Sequence, residues 1–309
     1  MKKNLLLILF LFLVINITAQ EGKVNKVLRE IRLQLVTGKT VQTDEEILFM
    51  PGNESYTLAG IKTWYNDTLK DIRSRAVTIS ARMGLKTQEP AFRQEAVKML
   101  VQACDDKDIA LAGSAINYLT HFNRRDFVKD TRDSVGTLLK KQLPQFEKLI
   151  RLAGFLELKD QEQFLENLLN EKSLSTKLQW SIHLALARMG SSNSIKAILA
   201  LAKGYPVDDN MVYYVFPDLV YTRQKQVYNY LLEILYNDKK SCTSPNPNYA
   251  GHILCGYRVM ESLAKVVKDY PLKTSKSGDI ITDDYDKALQ TTREWFKTHK
   301  DYELDMEVY

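Results

Sequence analysis

Apolar residues recur along this chain at i, i+3, i+4 and i+7, the spacing that lines one face of an α-helix. The sets are Ala76/Ile79/Ser80/Met83, Ala112/Ala115/Ile116/Leu119, Phe146/Leu149/Ile150/Ala153 and Ile182/Ala185/Leu186/Met189, in steps of 36, 34 and 36 residues. The first and last sets coincide with two copies of one tetrapeptide, Ala81-Arg82-Met83-Gly84 and Ala187-Arg188-Met189-Gly190. Self-similarity at this period is the signature of stacked helical repeats, in which no unit buries its apolar face alone. Beyond Gly190 the steps loosen. Val212/Val215/Phe216/Leu219 follows 30 residues after the Ile182 set, and Val259/Ser262/Leu263/Val266 another 47 later. The longer step contains an insertion from Asp238 to Tyr249, rich in Asn, Pro, Ser and Lys. The pattern predicts an all-α protein, a right-handed α-solenoid of about five to six helix pairs spanning 67–270.

Polar punctuation divides the rest. Phe92, Ala96, Met99, Leu100 and Ala103 predict the first helix of a pair, and Asp105-Asp106-Lys107-Asp108 the turn and N-terminal cap of its partner. Further helices are expected to begin near Pro144 and near Ser175. Within 20–66, Val24, Val27, Leu28, Ile31 and Leu35 share a helical face that Gly38 stops, so a helix from Lys23 to Val36 is the candidate cap of the array. From Lys39 to Asn66 the pattern fades around Met50-Pro51-Gly52-Asn53, which predicts a long loop. In 271–309, Tyr285, Leu289, Thr292, Trp295 and Phe296 predict a closing helix, followed by a short acidic tail from Asp301 to Tyr309.

The run Ile72-Arg73-Ser74-Arg75-Ala76, then Ile79 and Gly84, resembles the second helix of a HEAT-type repeat, with its Val-Arg-x-x-Ala pattern, an aliphatic residue and a closing Gly. In the fourth unit Leu178 and Gln179 stand at the first two places, and Ile182, Ala185 and Gly190 hold the later ones. The third unit keeps only Gly154, and the second has Thr120 at the glycine position. The resemblance covers roughly residues 67 to 267 and concerns the fold. It implies a scaffold, an adaptor or, occasionally, part of an enzyme, and brings no catalytic residues with it.

Residues 1–19 change the picture of location. Lys2 and Lys3 precede an apolar run from Leu5 to Ile15, and Ile17-Thr18-Ala19 before Gln20 has the form of a signal-peptide cleavage site. The run is shorter than the ~20 residues of a membrane span. The expectation is an exported protein, periplasmic or secreted, with no stable membrane insertion after cleavage. Loss of Lys2 and Lys3 lowers the formal charge from +5 to +3, too small for an electrostatic nucleic-acid binder.

Candidate chemistry is sparse. His121, His183, His252 and His299 are widely spaced, and neither a His-x-x-x-His nor a Cys-x-x-Cys pair occurs. The acids Asp279, Asp283, Asp284 and Asp286 lack the Gly and closing Glu of an EF-hand loop. They read as the first turn of a helix near Thr282. No cofactor motif is present. Cys242 and Cys255 flank most of the insertion, and in an exported protein they are expected to form a disulfide, leaving Cys104 as a buried thiol.

Equivalent positions of stacked helices fall side by side, so residues just off the core stripe form columns. The column runs Ser74/Val77, Ala110/Gly113, Pro144/Glu147, Trp180/His183, Asn210/Tyr213 and Tyr257/Met260. Its later half offers Trp180, His183, Tyr213 and Tyr257. Ten of the sixteen tyrosines lie between Tyr205 and Tyr270, so the enrichment belongs to this half of the chain. Aromatic rings with one polar atom are frequent where proteins grip peptides, protein segments or glycans, and equally where irregular helices need gaps filled. Three functions remain open. The first is a non-catalytic interaction module binding a protein, peptide or glycan through that column. The second is an envelope hydrolase or lyase acting on polysaccharide or cell wall, with His183 or His252 as general base. The third is a structural subunit with a large exposed apolar patch.

Overall fold

The computed structural model describes residues 20–171, 173–244, 248, 250–275 and 277–309; the expected signal segment and part of the expected insertion lie outside them. The described residues are mostly helical, with one small two-stranded sheet, as an all-α reading requires. They fall into two compact units that meet in sequence between Lys148 and Leu149. No helix among the described residues is long and apolar enough to cross a membrane.

The first unit opens with helix α1 over 20–36, which buries Val24, Leu28 and Ile31 at the expected spacing. The expected loop up to Asn66 is instead structured. A 3₁₀ turn at Glu46–Phe49, helix α2 at Glu54–Ile61 and a second 3₁₀ turn at Lys62–Asn66 occupy it. In α2 the buried residues are Thr57, Leu58 and Ile61. One polar residue and a single turn of burial leave no periodic apolar signal to read.

Helices α3 (Lys70–Lys86), α4 (Pro90–Ala103), α5 (Ile109–Leu119) and α6 (Lys129–Lys140) follow, each packed on its successor or next-but-one neighbour. Pro90 opens α4 at a position where the missing N–H costs nothing. The Asp108 side chain caps α5 by accepting from the Leu111 N–H at 2.9 Å. All four residues of the Ala76 and Ala112 sets are buried. Gly84 permits the close approach of α3 and α4, because a Cβ there would meet the Ala96 Cβ at 2.6 Å and the Phe122 ring at 2.7 Å.

Polar groups tie the layers together. Arg73 donates to both carboxylate oxygens of Asp106, 33 residues on, at 2.7 and 3.0 Å. Arg93 grips Asp126, also 33 residues on, at 2.6 to 3.1 Å. Gln145 donates to the Ile109 carbonyl across 36 residues at 3.0 Å.

In the second unit, after α7 (Phe146–Phe155), lie α8 (Glu162–Leu169), α9 (Thr176–Arg188), α10 (Ser192–Lys203), α11 (Phe216–Tyr221), α12 (Lys225–Leu235), α13 (Gly256–Ala264) and α14 (Tyr285–Thr298). Helix α9 touches α8, α10 and α11; α12 touches α10, α11 and α13; α14 touches α13. Ser175 caps α9 by accepting from the Leu178 N–H. Asp284 caps α14, and the acidic run around Thr282 leads into that first turn. Gly190 ends the helical run after α9 with φ at +99°, whereas Gly84, its counterpart in the repeated tetrapeptide, lies inside α3.

β1 (Lys240–Thr243), within the expected insertion, pairs antiparallel with β2 (His252–Leu254), just beyond it. A disulfide joins Cys242 and Cys255 across this hairpin, with Cα atoms 5.2 Å apart. Ser241 Oγ donates to the Val207 carbonyl at 2.7 Å and fixes the hairpin to the segment before α11. Cys104 is a buried free thiol, and burial pushes its pKa up.

Candidate functional site

Met211–Val215 forms a single π-helical turn running directly into α11. Pro217 explains it. Proline has no N–H for an α-type bond to the carbonyl four residues back, and its ring crowds that carbonyl, here Tyr213. The ladder widens by one residue, and the Phe216 N–H donates to the Met211 carbonyl. Two rings are thereby turned outward. Tyr213 is 62% and Tyr214 75% exposed, in a stretch whose neighbours Met211, Val212 and Phe216 are buried. Tyr214, Tyr205 and Met211 line a hollow of about 380 Å³ with Asp208 and Asn210 on its polar side.

Four residues beyond Tyr214, Asp218 organises a second group. Its carboxylate accepts from the Trp180 indole N–H at 2.5 Å and from Arg151 Nη1 at 2.7 Å. Trp180 is half-buried on α9, and its polar atom is already engaged. Arg151 Nε also points to Ser181 Oγ at 3.4 Å, so α7, α9 and α11 converge on one guanidinium.

A third group surrounds α13. Tyr257 is half-buried, stands edge-on to Tyr285 with ring centres 5.9 Å apart, and donates its hydroxyl to Asp286. Burial, reinforced by that bond, pushes the Tyr257 hydroxyl up to about 12. Arg258 is held by Glu261 at 2.9 Å, and the same carboxylate accepts from the Tyr285 hydroxyl at 3.1 Å.

The four residues read from the sequence thus occupy α9, the π turn and α13. Trp180 and His183 share a face of α9, and Trp180 reaches α11 through Asp218. His183 is half-buried, its Nδ1 lies 3.1 Å from Ser194 Oγ, and burial pulls its pKa below the ordinary histidine value. His252 is exposed on β2, opposite Thr243, which donates its N–H and hydroxyl to Asp209. Sequence reasoning missed Tyr205, Tyr214, Asp218 and Arg151. Pro217 was the available signal for Tyr214, since a proline within a helical apolar pattern marks a local break. Asp218 and Arg151 carried no signal, because their partners lie 38 and 67 residues from Asp218.

No group of three or more His, Cys, Asp or Glu among the described residues could hold a metal ion. Comparison with known proteins finds no matching family model, no matching curated protein and no matching solved structure.

Proposed function

We propose that this chain is an exported helical-repeat interaction module, non-catalytic, which holds a peptide, a protein segment or a glycan on the tyrosine-bearing face of its second unit. The observation that carries the reading is the π turn. It presents Tyr213 and Tyr214 to solvent beside a hollow edged by Asp208 and Asn210. Exposed tyrosines on a firm backbone offer apolar area at little ordering cost and one hydrogen-bonding atom each, which suits a peptide or sugar partner.

A HEAT-like, right-handed solenoid arrangement is part of the proposal. Its support is local: helices pack on first and second neighbours within each unit, and polar ties such as Arg73 to Asp106 and Arg188 to Tyr221 span 33 residues, close to the sequence period. Export to the periplasm or beyond is supported by the character of residues 1–19 and by the Cys242–Cys255 disulfide, a bond that persists in oxidising compartments.

The test is a binding screen of residues 20–309 against peptide and glycan arrays, beside the Tyr213→Ala/Tyr214→Ala variant. Saturable binding that the double variant loses by at least about tenfold supports the module. Equal binding by both proteins, or none by either, sinks the assignment to this face.

A further inference from the structure

Residues 302–309 run extended along the second unit in a groove whose contacts are mostly to main chain. The Asp305 N–H donates to the Val266 carbonyl at 2.7 Å, and the Lys268 N–H donates to the Glu303 carbonyl at 3.0 Å, a short antiparallel pairing. Farther along, Arg223 donates from Nε to the Asp305 carbonyl at 3.0 Å, and from Nη2 to the Val308 carbonyl at 3.3 Å and a main-chain oxygen of Tyr309 at 3.2 Å. Arg188 Nη2 donates to the Val308 carbonyl at 3.0 Å. The Tyr309 ring stands against Phe155 and Tyr221, with centres 5.5 and 5.2 Å away.

Arg188 is the unusual member. It is 1% exposed, its Nε has no hydrogen-bond partner, and its other bonds go to carbonyl oxygens. Burial and the neighbouring Arg223 pull its pKa down to about 10. A buried guanidinium is costly unless acceptors face it, and here the segment supplies part of them. The copy of this arginine in the first tetrapeptide, Arg82, is exposed and pairs with Glu46, so the repeated sequence alone does not require such burial.

Tyr302 is buried with its ring 5.0 Å from that of Phe296, and from Leu304 to Tyr309 the held segment is half-exposed. The link before it, 299–301, is exposed. Main-chain clamps accept any extended peptide, and pockets for particular side chains supply selectivity. Two such features are present: the aromatic pocket for Tyr309, and basic groups facing an acidic segment, seen in the 3.0 Å pair of Lys268 with Glu303. We propose that this groove is a peptide-binding site for an extended segment of a partner protein, acidic at alternating positions and ending on a tyrosine anchor. Residues 302–309 occupy it in cis and gate it. The gate works by effective concentration, since a tethered segment outcompetes a free one until the partner is abundant or better matched.

The experiment uses the full chain with a protease site inserted between Lys300 and Asp301, cut only after folding, so that folding itself does not depend on the change. A fluorescein-labelled peptide of residues 302–309 is then titrated by anisotropy against cut and uncut protein. The proposal expects saturable uptake by the cut chain, at least tenfold weaker uptake by the uncut chain, and at least tenfold loss when the peptide carries Tyr309→Ala. Absence of uptake by the cut chain would mean that the segment is a permanent part of the core, and would overturn the proposal. Equal uptake of the Tyr309→Ala peptide would overturn it by removing the anchor. Sedimentation of the uncut chain as a segment-exchanged dimer would overturn the assignment to a different protein.

Discussion

Trp180 separates packing from recognition, because its ring belongs partly to each. Replacing it with Ala removes a side chain of about 200 Å², of which about three-quarters is withdrawn from water, worth about 3.7 kcal/mol at about 25 cal/mol per Å². The indole N–H bond to the Asp218 carboxylate adds about 1.5 kcal/mol, as a hydrogen bond to a charged group. The combined figure of about 5 kcal/mol is an upper value, since an unfolded chain already buries some of that area. A loss of about 4 kcal/mol is expected, lowering Tm by about 8–16 °C for a unit of this size. Trp180→Phe keeps most of the area and loses only the N–H, so it should cost about 1.5 kcal/mol. Tyr213→Ala/Tyr214→Ala should stay within about 1 kcal/mol of the unsubstituted protein, because exposed positions contribute little to stability. Thermal and urea unfolding followed by circular dichroism measure all three. If Trp180→Ala melted within about 2 °C of the parent, or if the tyrosine pair cost more than Trp180, the division of labour argued here would be wrong.

Three further perturbations follow from the geometry. Asp106→Ala leaves Arg73 without its bidentate partner and should cost about 3 kcal/mol in urea unfolding, the low end for a buried pair because the site borders an open hollow. The double variant Arg73→Met/Asp106→Leu should recover most of that loss, and no recovery would show that the pair acts through more than its charges. His183 has its folded pKa depressed by burial, so the unfolded chain takes up a proton first. Its contribution is present above about pH 6.5 and is lost as pH falls from there toward the folded value, and His183→Gln should flatten that slope in unfolding midpoints. Removing the Cys242–Cys255 bond, which closes a loop with a sequence separation of 13, should cost at most about 3 kcal/mol. Non-reducing mass spectrometry of the exported protein should show both thiols oxidised, and two free thiols would contradict the bond.

What could be read from the sequence was what depends on local repetition. The apolar sets at Ala76, Ala112, Phe146 and Ile182 are buried throughout, because a helix face of that spacing has nowhere else to go. The caps at Asp108 and Ser175 and the disulfide across the insertion were legible for the same reason, each being a short-range rule. Helix α2 was not legible, since a two-turn helix with Thr57 among its buried residues has no period to detect. The β1–β2 hairpin hid in a polar, proline-rich insertion. The tetrapeptide copies mislead most. Arg82 lies on the surface and Arg188 in the interior, and what distinguishes them is a segment more than a hundred residues away, held at separations of 118 and 120. Such tertiary pairings leave no trace in a single sequence. The candidate site divides in the same way: its aromatic residues were visible as a compositional bias, and the charges that orient them were not.

The most direct test of the central claim is quantitative affinity capture from an envelope extract with residues 20–309 as bait, run beside the Tyr213→Ala/Tyr214→Ala variant after both are shown to melt alike. The account expects one or a few ligands, protein or glycan, retained by the parent and depleted at least about tenfold on the variant, in line with the loss of two interface tyrosines. Identical recoveries from the two baits would contradict it, and the exposed tyrosines of the π turn would then have no part in binding.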